Sequence, residues 1–254
     1  MIDNFSTRTK MMLGDDGYSR LVGSRVAVFG VGGVGGYAVE ALARAGVGAI
    51  DLIDMDRVSE SNINRQIIAT RSTVGKYKTE AARERIFDIN PDCTVTEHRV
   101  FFGEDTAESF DFSKYDYVID AIDSVKQKVE LIARATEAGT KIISAMGAGN
   151  KLDPTRFKVS DISKTAVCPL AKAVRTQLRK LGINHLKVVF SDEEPAVIVG
   201  GQNESEASEE KKEVLSAEES YSKRRAPGSI SFVPSVMGLI LAGEVIKEIA
   251  AADR

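Results

Sequence analysis

The fold of this 254-residue chain is decided by the stretch Gly30-Val31-Gly32-Gly33-Val34-Gly35-Gly36. The apolar run 25–29 before it predicts a buried strand, and the run 37–45 after it predicts a helix. Glycine lets the backbone approach phosphate oxygens closely, and the N–H groups and dipole at a helix N-terminus favour an anion. The strand, turn and helix therefore predict a nucleotide phosphate site, with Gly30, Gly32, Gly33 and Gly35 as the expected contacts.

A polar cluster follows the second predicted strand, 49–53. Asp54 lies about 20 residues beyond the glycines, where dinucleotide-binding folds place an acid on a ribose hydroxyl. An NAD enzyme would explain that acid, but it would not explain the other polar residues downstream. These are Asp56, Asn62, Asn64, Arg65, Gln66 and Lys78. Because Arg can clamp oxygens in a bidentate manner and Lys adds a movable point charge, two cations beside a phosphate cradle favour the triphosphate of ATP.

Each of these residues also has an interpretation without a ligand. The glycines can make a tight strand-to-helix turn, and Asp54 and Asp56 can be ordinary turn residues. Arg65 and Lys78 can belong to an exposed charged surface, which is the usual place for such residues. The joint occurrence of the glycine turn, the acids and the cations is what favours a nucleotide site.

These motifs, with Asp120-Ala121-Ile122-Asp123 at the end of a later predicted strand, resemble the ThiF family, the adenylating enzymes related to ubiquitin-activating enzymes. The resemblance implies that Asp54 holds the ribose of ATP and that Asp123 holds a magnesium ion. It assigns the phosphates to Asn62, Arg65 and Lys78, with Gln66 close by.

The resemblance also implies a shared site. In this family an arginine near the N-terminus of the partner subunit completes the ATP site, and Arg8 is the candidate here. We therefore expect a homodimer whose catalytic residues are Arg8, Arg65, Lys78 and Asp123.

The composition is typical of one α/β domain. With 43% hydrophobic residues the chain can bury one full core, and its net charge of -3 gives no overall attraction to nucleic acid. Two cysteines and the lack of a signal peptide favour a soluble protein of the reducing cytoplasm. The apolar run 236–243 is too short to span a bilayer, so it predicts a packing helix. Two cysteines and two separated histidines cannot make a four-thiolate site, so no zinc is expected.

The first half of the chain alternates strand and helix patterns, which predicts an α/β fold with a doubly wound, mainly parallel, Rossmann-like sheet. The predicted strands are 25–29, 49–53, 94–100, 116–120 and 141–145, and the predicted helices are 36–45, 75–88 and 125–138. A C-terminal extension adds a helix from Cys168-Pro169 to about Leu181 and a strand at 186–190.

Residues 201–227 are rich in Glu, Ser and Lys and therefore predict a mobile acidic linker. We expect a single domain over 1–254. Its nucleotide-binding core would cover 20–150 and its substrate-side extension 151–254.

The later motifs resemble one branch of the family, the tRNA threonylcarbamoyladenosine dehydratases. The segments that carry this resemblance are 144–154, 161–165, 168–171 and 228–235. It implies ATP-dependent cyclisation of threonylcarbamoyladenosine at position 37 of tRNA, through adenylation of its carboxylate and ring closure within the substituent. It leaves open a monovalent cation and a sulfur-transfer protein partner.

Two alternatives remain at this point. The first is an adenylyltransferase that activates the C-terminal Gly-Gly of a ubiquitin-like sulfur-carrier protein. The second is a nucleotide-sensing or NAD-binding protein without adenylation chemistry, which the combination of Arg65, Lys78 and Asp123 disfavours.

The predicted helix after Pro169 has an apolar and a cationic face. The apolar stripe is Leu170, Val174, Leu178 and Leu181, and the cationic face carries Lys172, Arg175 and Arg179. The cationic face can contact tRNA phosphates, although a solvated surface is the ordinary alternative. A second candidate patch is Lys223-Arg224-Arg225.

The two cysteines are both expected to be structural. Cys168 can be a thiol with a lowered pKa at a helix N-terminus or an unreactive packed thiol, and we expect the latter. Cys93 stands at the entrance to a predicted strand.

Overall fold

The computed structural model describes residues 5–196 and 227–251. Within these ranges seven strands form one sheet, in the order β3-β2-β1-β4-β5-β7-β6. Neighbouring strands are parallel, except that β6 runs antiparallel to β7 at the edge. The strands are β1 (Arg25–Phe29), β2 (Ala49–Ile53), β3 (Thr94–His98), β4 (Tyr117–Asp120), β5 (Ile142–Ala145), β6 (Phe157–Asp161) and β7 (Lys187–Ser191).

Helices cover both faces of the sheet. They are α1 (Thr7–Val22), α2 (Gly35–Ala45), α3 (Lys78–Ile89), α4 (Glu104–Ala107), α5 (Val125–Glu137), α6 (Pro169–Lys180) and α7 (Phe232–Ala250). One apolar core joins the sheet to α2, α3 and α7, and a second, rich in phenylalanine, joins the opposite face to α5. A third joins α5, α6 and β7. The predicted doubly wound, mainly parallel α/β fold is therefore confirmed.

The buried strands explain why the sequence patterns worked. β1, β2 and β4 are covered on both faces, so their sequences are mainly apolar, and β1 and β2 have the predicted bounds. β3 ends at His98 rather than at residue 100. Helix α3 begins at Lys78 rather than at residue 75, because Gly75 has a φ of 90°, which a right-handed helix does not accept. The predicted packing helix is the middle of α7.

Two elements of the fold carry no strong sequence pattern. Helix α1 is kinked at Gly14, where φ is 75°, and it depends on packing against α7, where Arg20 donates to the carbonyl oxygen of Ala250. The edge strand β6 exposes Lys158 and Val159, so it lacks a buried apolar run. The predicted linker at 201–227, apart from Pro227, and the candidate patch at 223–225 lie outside the described residues.

The strand order reverses between β1 and β4, which lie side by side although β2 and β3 are on the other side of β1. In open α/β sheets, ligands bind beyond the carboxyl ends of the strands at such a switch point. In the described part of the chain no helix is both long enough and apolar enough to cross a membrane.

Candidate active site

A cleft of about 580 Å³ opens at the carboxyl ends of β1, β2, β4 and β5. It brings together ten of the predicted site residues. These are Gly30, Gly32, Gly33, Asp54, Asp56, Asn62, Arg65, Gln66, Lys78 and Asp123. Because they come from five separate segments of the chain, the fold itself supports the interpretation that they form one site.

The glycine turn forms one wall of this cleft. Gly30 has a φ of 89°, and a Cβ placed on it would lie 2.7 Å from the carbonyl oxygen of Ala121. Gly35 is different, since it does not line the cleft. A Cβ on Gly35 would overlap the carbonyl oxygen of Gly30, so its role is the close packing of α2 against the end of β1.

Asp54 ties the glycine turn to β2. Its Oδ2 accepts from the backbone N–H of Val31 at 2.8 Å, and its Oδ1 accepts from that of Asp56 at 2.8 Å. Burial raises the pKa of the Asp54 carboxyl above its ordinary value, against the opposing charge of Lys78. The Asp54 carboxylate therefore fixes the glycine turn, in addition to the ribose contact predicted for it.

Lys78 is the first residue of α3 and is buried. Its Nζ lies 2.7 Å from Oδ2 of Asp56 and 3.8 Å from Oδ2 of Asp54. A buried ammonium held between two carboxylates at the cleft wall is a preorganised cation for an anionic ligand. Asp56 is exposed, so in this arrangement its contribution is to hold Lys78 in place.

Arg65 and Gln66 follow the short 3-10 turn Glu60–Asn62. Arg65 Nη1 donates to the carbonyl oxygen of Ser61 at 3.0 Å and to Oδ1 of Asn64 at 2.8 Å, which holds the guanidinium at the cleft. Gln66 is only 7% exposed, and its Oε1 makes no hydrogen bond within the chain. A buried amide oxygen without a partner calls for a ligand or water donor, because leaving it unsatisfied costs about 1–3 kcal/mol. The residues present thus fit a bound nucleotide.

Asp123 follows β4 and is exposed at the cleft. The described residues contain no group of three or more His, Cys, Asp or Glu side chains that could hold a metal ion by themselves. A magnesium site here would therefore need the ligand's own oxygens, which is the usual arrangement for Mg²⁺ with nucleotide phosphates.

The structure adds cleft residues that the sequence patterns missed. These are Val100, Phe101, Gln127, Met146, Leu170 and Pro234. Phe101 follows β3 and is 53% exposed, so an aromatic ring stands open at the cleft. The sequence did offer one signal for Phe101 as a cleft residue, because it follows directly after the carboxyl end of a predicted strand.

Besides Gly35, four predicted residues lie away from the cleft lining. Arg8 is exposed on α1, and Lys172 and Arg179 are exposed on α6. Arg175 is half-buried, and its Nη1 donates to the backbone carbonyl oxygens of Ile162 and Thr165 at 3.2 and 3.0 Å. Arg175 thus braces α6 against the preceding segment.

The predicted apolar stripe of α6 is buried at Leu170, Val174 and Leu178. The prediction is wrong at Leu181, which is 57% exposed because α6 ends one residue earlier, at Lys180.

Both cysteines are buried. Cys168 caps α6, where its Sγ accepts from the backbone N–H of Ala171 at 3.5 Å. Burial raises the pKa of Cys93 to about 11, so that thiol stays protonated at neutral pH. The predicted structural role of Cys93 agrees with this burial.

The switch-point cleft, the glycine turn and the buried lysine together define a nucleotide-binding α/β protein. A model described as the ThiF family matches residues 6–254, and the chain belongs to that family. It is 46% identical over 251 residues to the tRNA threonylcarbamoyladenosine dehydratase of Bacillus subtilis (strain 168), covering 98% of this chain and 95% of that protein. It is 35% identical over 153 residues to the adenylyltransferase and sulfurtransferase UBA4 of Saccharomyces cerevisiae (strain YJM789), covering 60% of this chain and 34% of that protein.

Among solved structures, the chain is similar to the E. coli tRNA N6-threonylcarbamoyladenosine dehydratase TcdA in complex with ATP. The TM-score is 0.82 at 34% identity, and the match covers 97% of this chain and 94% of that chain. The same protein in complex with AMP matches with a TM-score of 0.82.

Proposed function

We propose that this protein is an ATP-dependent enzyme that dehydrates threonylcarbamoyladenosine in tRNA to its cyclic form. The observation that carries the proposal is the cleft itself, where Lys78, Arg65 and the orphan oxygen of Gln66 line the wall beside the glycine turn. The near full-length similarity to dehydratases, with ATP and AMP bound in the E. coli enzyme, supports the choice of reaction.

The chemistry proceeds in two steps. The substrate carboxylate, ionised at neutral pH, attacks the α-phosphorus of ATP and expels pyrophosphate, which gives an acyl-adenylate. A group within the same substituent then attacks the activated carbonyl, loses a proton and expels AMP. Because the second step is intramolecular, it needs no protein nucleophile. The buried, capping position of Cys168 is consistent with a mechanism that does not use it.

The cations supply the electrostatic part of this reaction. Lys78 and Arg65 offset charge that develops on the phosphates as pyrophosphate leaves. Asp123 would hold the magnesium ion, which would supply Lewis-acid polarisation of the phosphates when bound. Asp54 holds the ribose while it fixes the glycine turn. The reaction uses no zinc and takes place in the cytoplasm.

The direct test is to incubate the protein with ATP, magnesium and tRNA that carries threonylcarbamoyladenosine. After mild digestion the nucleosides are weighed by mass spectrometry, and we expect one that is lighter by one water. It should be absent without ATP and lost in Asp123→Ala. An unchanged nucleoside mass, in a preparation that binds ATP, would contradict the proposal.

The protein acts as a homodimer in which each protomer supplies Arg8 to the ATP site of its partner. Arg8 is exposed and lies away from the cleft of its own chain. On the same helix Met11 and Met12 are 80% and 84% exposed, so α1 presents two adjacent apolar side chains that a partner could cover. A second copy that covers α1 would bury these methionines and carry Arg8 to a neighbouring cleft.

The tRNA lies along α6. This helix contains no acidic residue, and Leu170 at its start lines the cleft. Lys172 and Arg179 are exposed and can contact phosphates, whereas Arg175 contributes by bracing the helix.

Charge reversal tests this surface. Lys172→Glu with Arg179→Glu should weaken tRNA binding about tenfold or more at low salt and reduce the salt slope by about two, because two phosphate contacts are lost. The affinity for ATP should stay unchanged. The matched control is Lys114→Glu with Lys141→Glu, at the amino ends of β4 and β5, opposite the cleft. Equal tRNA affinity of the two double variants would mean that α6 does not contact the tRNA.

The second candidate function is activation of a sulfur-carrier protein ending in Gly-Gly, with a sulfur-transfer protein as partner. The partial similarity to UBA4 favours it only over 60% of the chain. ATP–pyrophosphate exchange that depends on such a carrier, and not on tRNA, would support it.

A further inference from the structure

A fully buried ion pair lies beneath the cleft, between β4, β5 and α5. Lys128 and Asp120 are both 0% exposed, and Lys128 Nζ lies 2.7 Å from Oδ2 of Asp120. The same ammonium donates to Oγ of Ser144 at 3.2 Å and to the carbonyl oxygen of Ala145 at 2.9 Å. All three N–H groups of the lysine are therefore used.

The carboxylate of Asp120 is also fully used. Its Oδ2 accepts from Oγ of Ser144 at 2.5 Å, and its Oδ1 accepts from the backbone N–H of Ile122 at 3.1 Å. The second of these bonds fixes the turn that carries Asp123. The cluster therefore holds the last residue of β4, the end of β5 and the first residues after β4 in one arrangement.

The cluster is directly behind residues that line the cleft. Ala121, Ile122 and Asp123 follow β4 and line one side, and Ala145 with residues 146–149 lines the other. A displacement of Lys128 would thus move the two segments of the cleft relative to each other.

Stability alone is a poor reason to keep this pair. Burial opposes both charges and raises the pKa of the Asp120 carboxyl, against the attraction of Lys128. Apolar residues of similar volume are often as stabilising as a buried pair, or more so. Apolar residues make no hydrogen bonds that fix the orientation of their neighbours, whereas this cluster makes five such bonds at one end of the cleft.

We propose that Lys128 is a positioning residue that holds the Asp123 turn and the 146–149 loop at the spacing needed for the substrate carboxylate to meet the α-phosphate of ATP. This inference rests on the proposed adenylation reaction. Lys128 touches no reacting atom, and it acts through Asp120, Ser144 and Ala145. A displacement of about 1 Å in such a supporting group can cost about 100-fold in rate.

The test separates position from stability with two variants. Lys128→Met leaves a buried carboxylate without its partner, so it lowers both thermal stability and kcat. In the double variant Asp120→Leu with Lys128→Met neither a buried charge nor a hydrogen-bonding side chain is left at these two positions, so stability recovers while the directed contacts do not. We expect the double variant to have a Tm near that of the wild type, a kcat about 100-fold lower and an ATP Kd within about threefold of the wild type. A wild-type kcat in this variant would overturn the proposal.

Hydrogen exchange gives a readout that does not depend on the substrate. In the double variant, amides at 121–123 and 146–149 should exchange at least tenfold faster, while those of α2 and α3 should be unchanged. Unchanged exchange at both segments would overturn the positioning role. If the wild type fails to act on tRNA, the proposed function fails, and the exchange measurement still decides the role of Lys128.

A milder variant covers the case in which the double variant does not fold. Ser144→Ala keeps the ion pair and removes one hydroxyl from the cluster. It should lower kcat severalfold with an unchanged ATP Kd, and a kcat equal to that of the wild type would count against the proposal.

Discussion

A heterodimer with Arg8→Ala in one protomer and Lys78→Ala in the other should keep about half of the wild-type rate, since the proposed sharing of Arg8 between protomers leaves one of the two sites intact. Each variant homodimer should be at least about 100-fold less active, because a cation that faces the leaving pyrophosphate is missing from every site. The two chains are co-expressed with different tags, and the heterodimer is isolated by two affinity steps. Its rate of tRNA dehydration is then compared with that of both homodimers.

The control places the same two substitutions in one chain and pairs it with a wild-type chain. If Arg8 acts across the interface, this heterodimer has no complete site. The cleft of the wild-type chain lacks Arg8, because its partner carries alanine there, and the cleft of the altered chain lacks Lys78. If Arg8 acts within its own protomer, the results are reversed, and only this control heterodimer is active. The two arrangements therefore give opposite outcomes, and activity of the control alone would refute the shared site.

The sequence predicted the centre of the fold well for a physical reason. β1, β2 and β4 are buried on both faces, so they are mainly apolar, and such runs bounded by turn residues are readable without a structure. The buried Asp51 in β2 and Asp120 in β4 are tolerated because each forms an ion pair. The polar cleft residues were also readable, because Asp54 and Asp123 follow strands and therefore meet at one edge of the sheet.

What the sequence did not predict depends on contacts between distant segments. Phe101 lines the cleft only because β3 pairs beside β2, and Arg175 leaves the cationic face because nearby carbonyl oxygens bind it. Lys128 looks like an ordinary surface lysine of an amphipathic helix, and its burial follows from Asp120 and Ser144 at the ends of neighbouring strands. Long-range pairing of this kind leaves no periodic signal.

The glycine turn shows the same limit, because its glycines look alike in sequence and differ in the structure. A Cβ on Gly35 would overlap the carbonyl oxygen of Gly30, which is backbone and cannot rotate away. A Cβ on Gly32 would meet only Nε2 of Gln66 at 3.7 Å, an ordinary contact at the wall of the cleft. Gly35 is therefore needed for packing, whereas packing does not require a glycine at position 32.

Substitution by alanine should therefore lower stability at Gly35 and ATP affinity at Gly32. Gly35→Ala should cost about 4 kcal/mol or more, since α2 must move away from β1, and should lower the Tm by about 10 °C or more. Gly32→Ala should change stability by less than about 1 kcal/mol, yet weaken ATP binding about tenfold or more by placing a methyl group where the phosphates approach. Thermal unfolding and titration calorimetry with ATP measure both quantities on each variant. Equal ATP affinity of Gly32→Ala and the wild type would mean that the phosphates lie elsewhere in the cleft, and a stable Gly35→Ala would mean that the turn can relax.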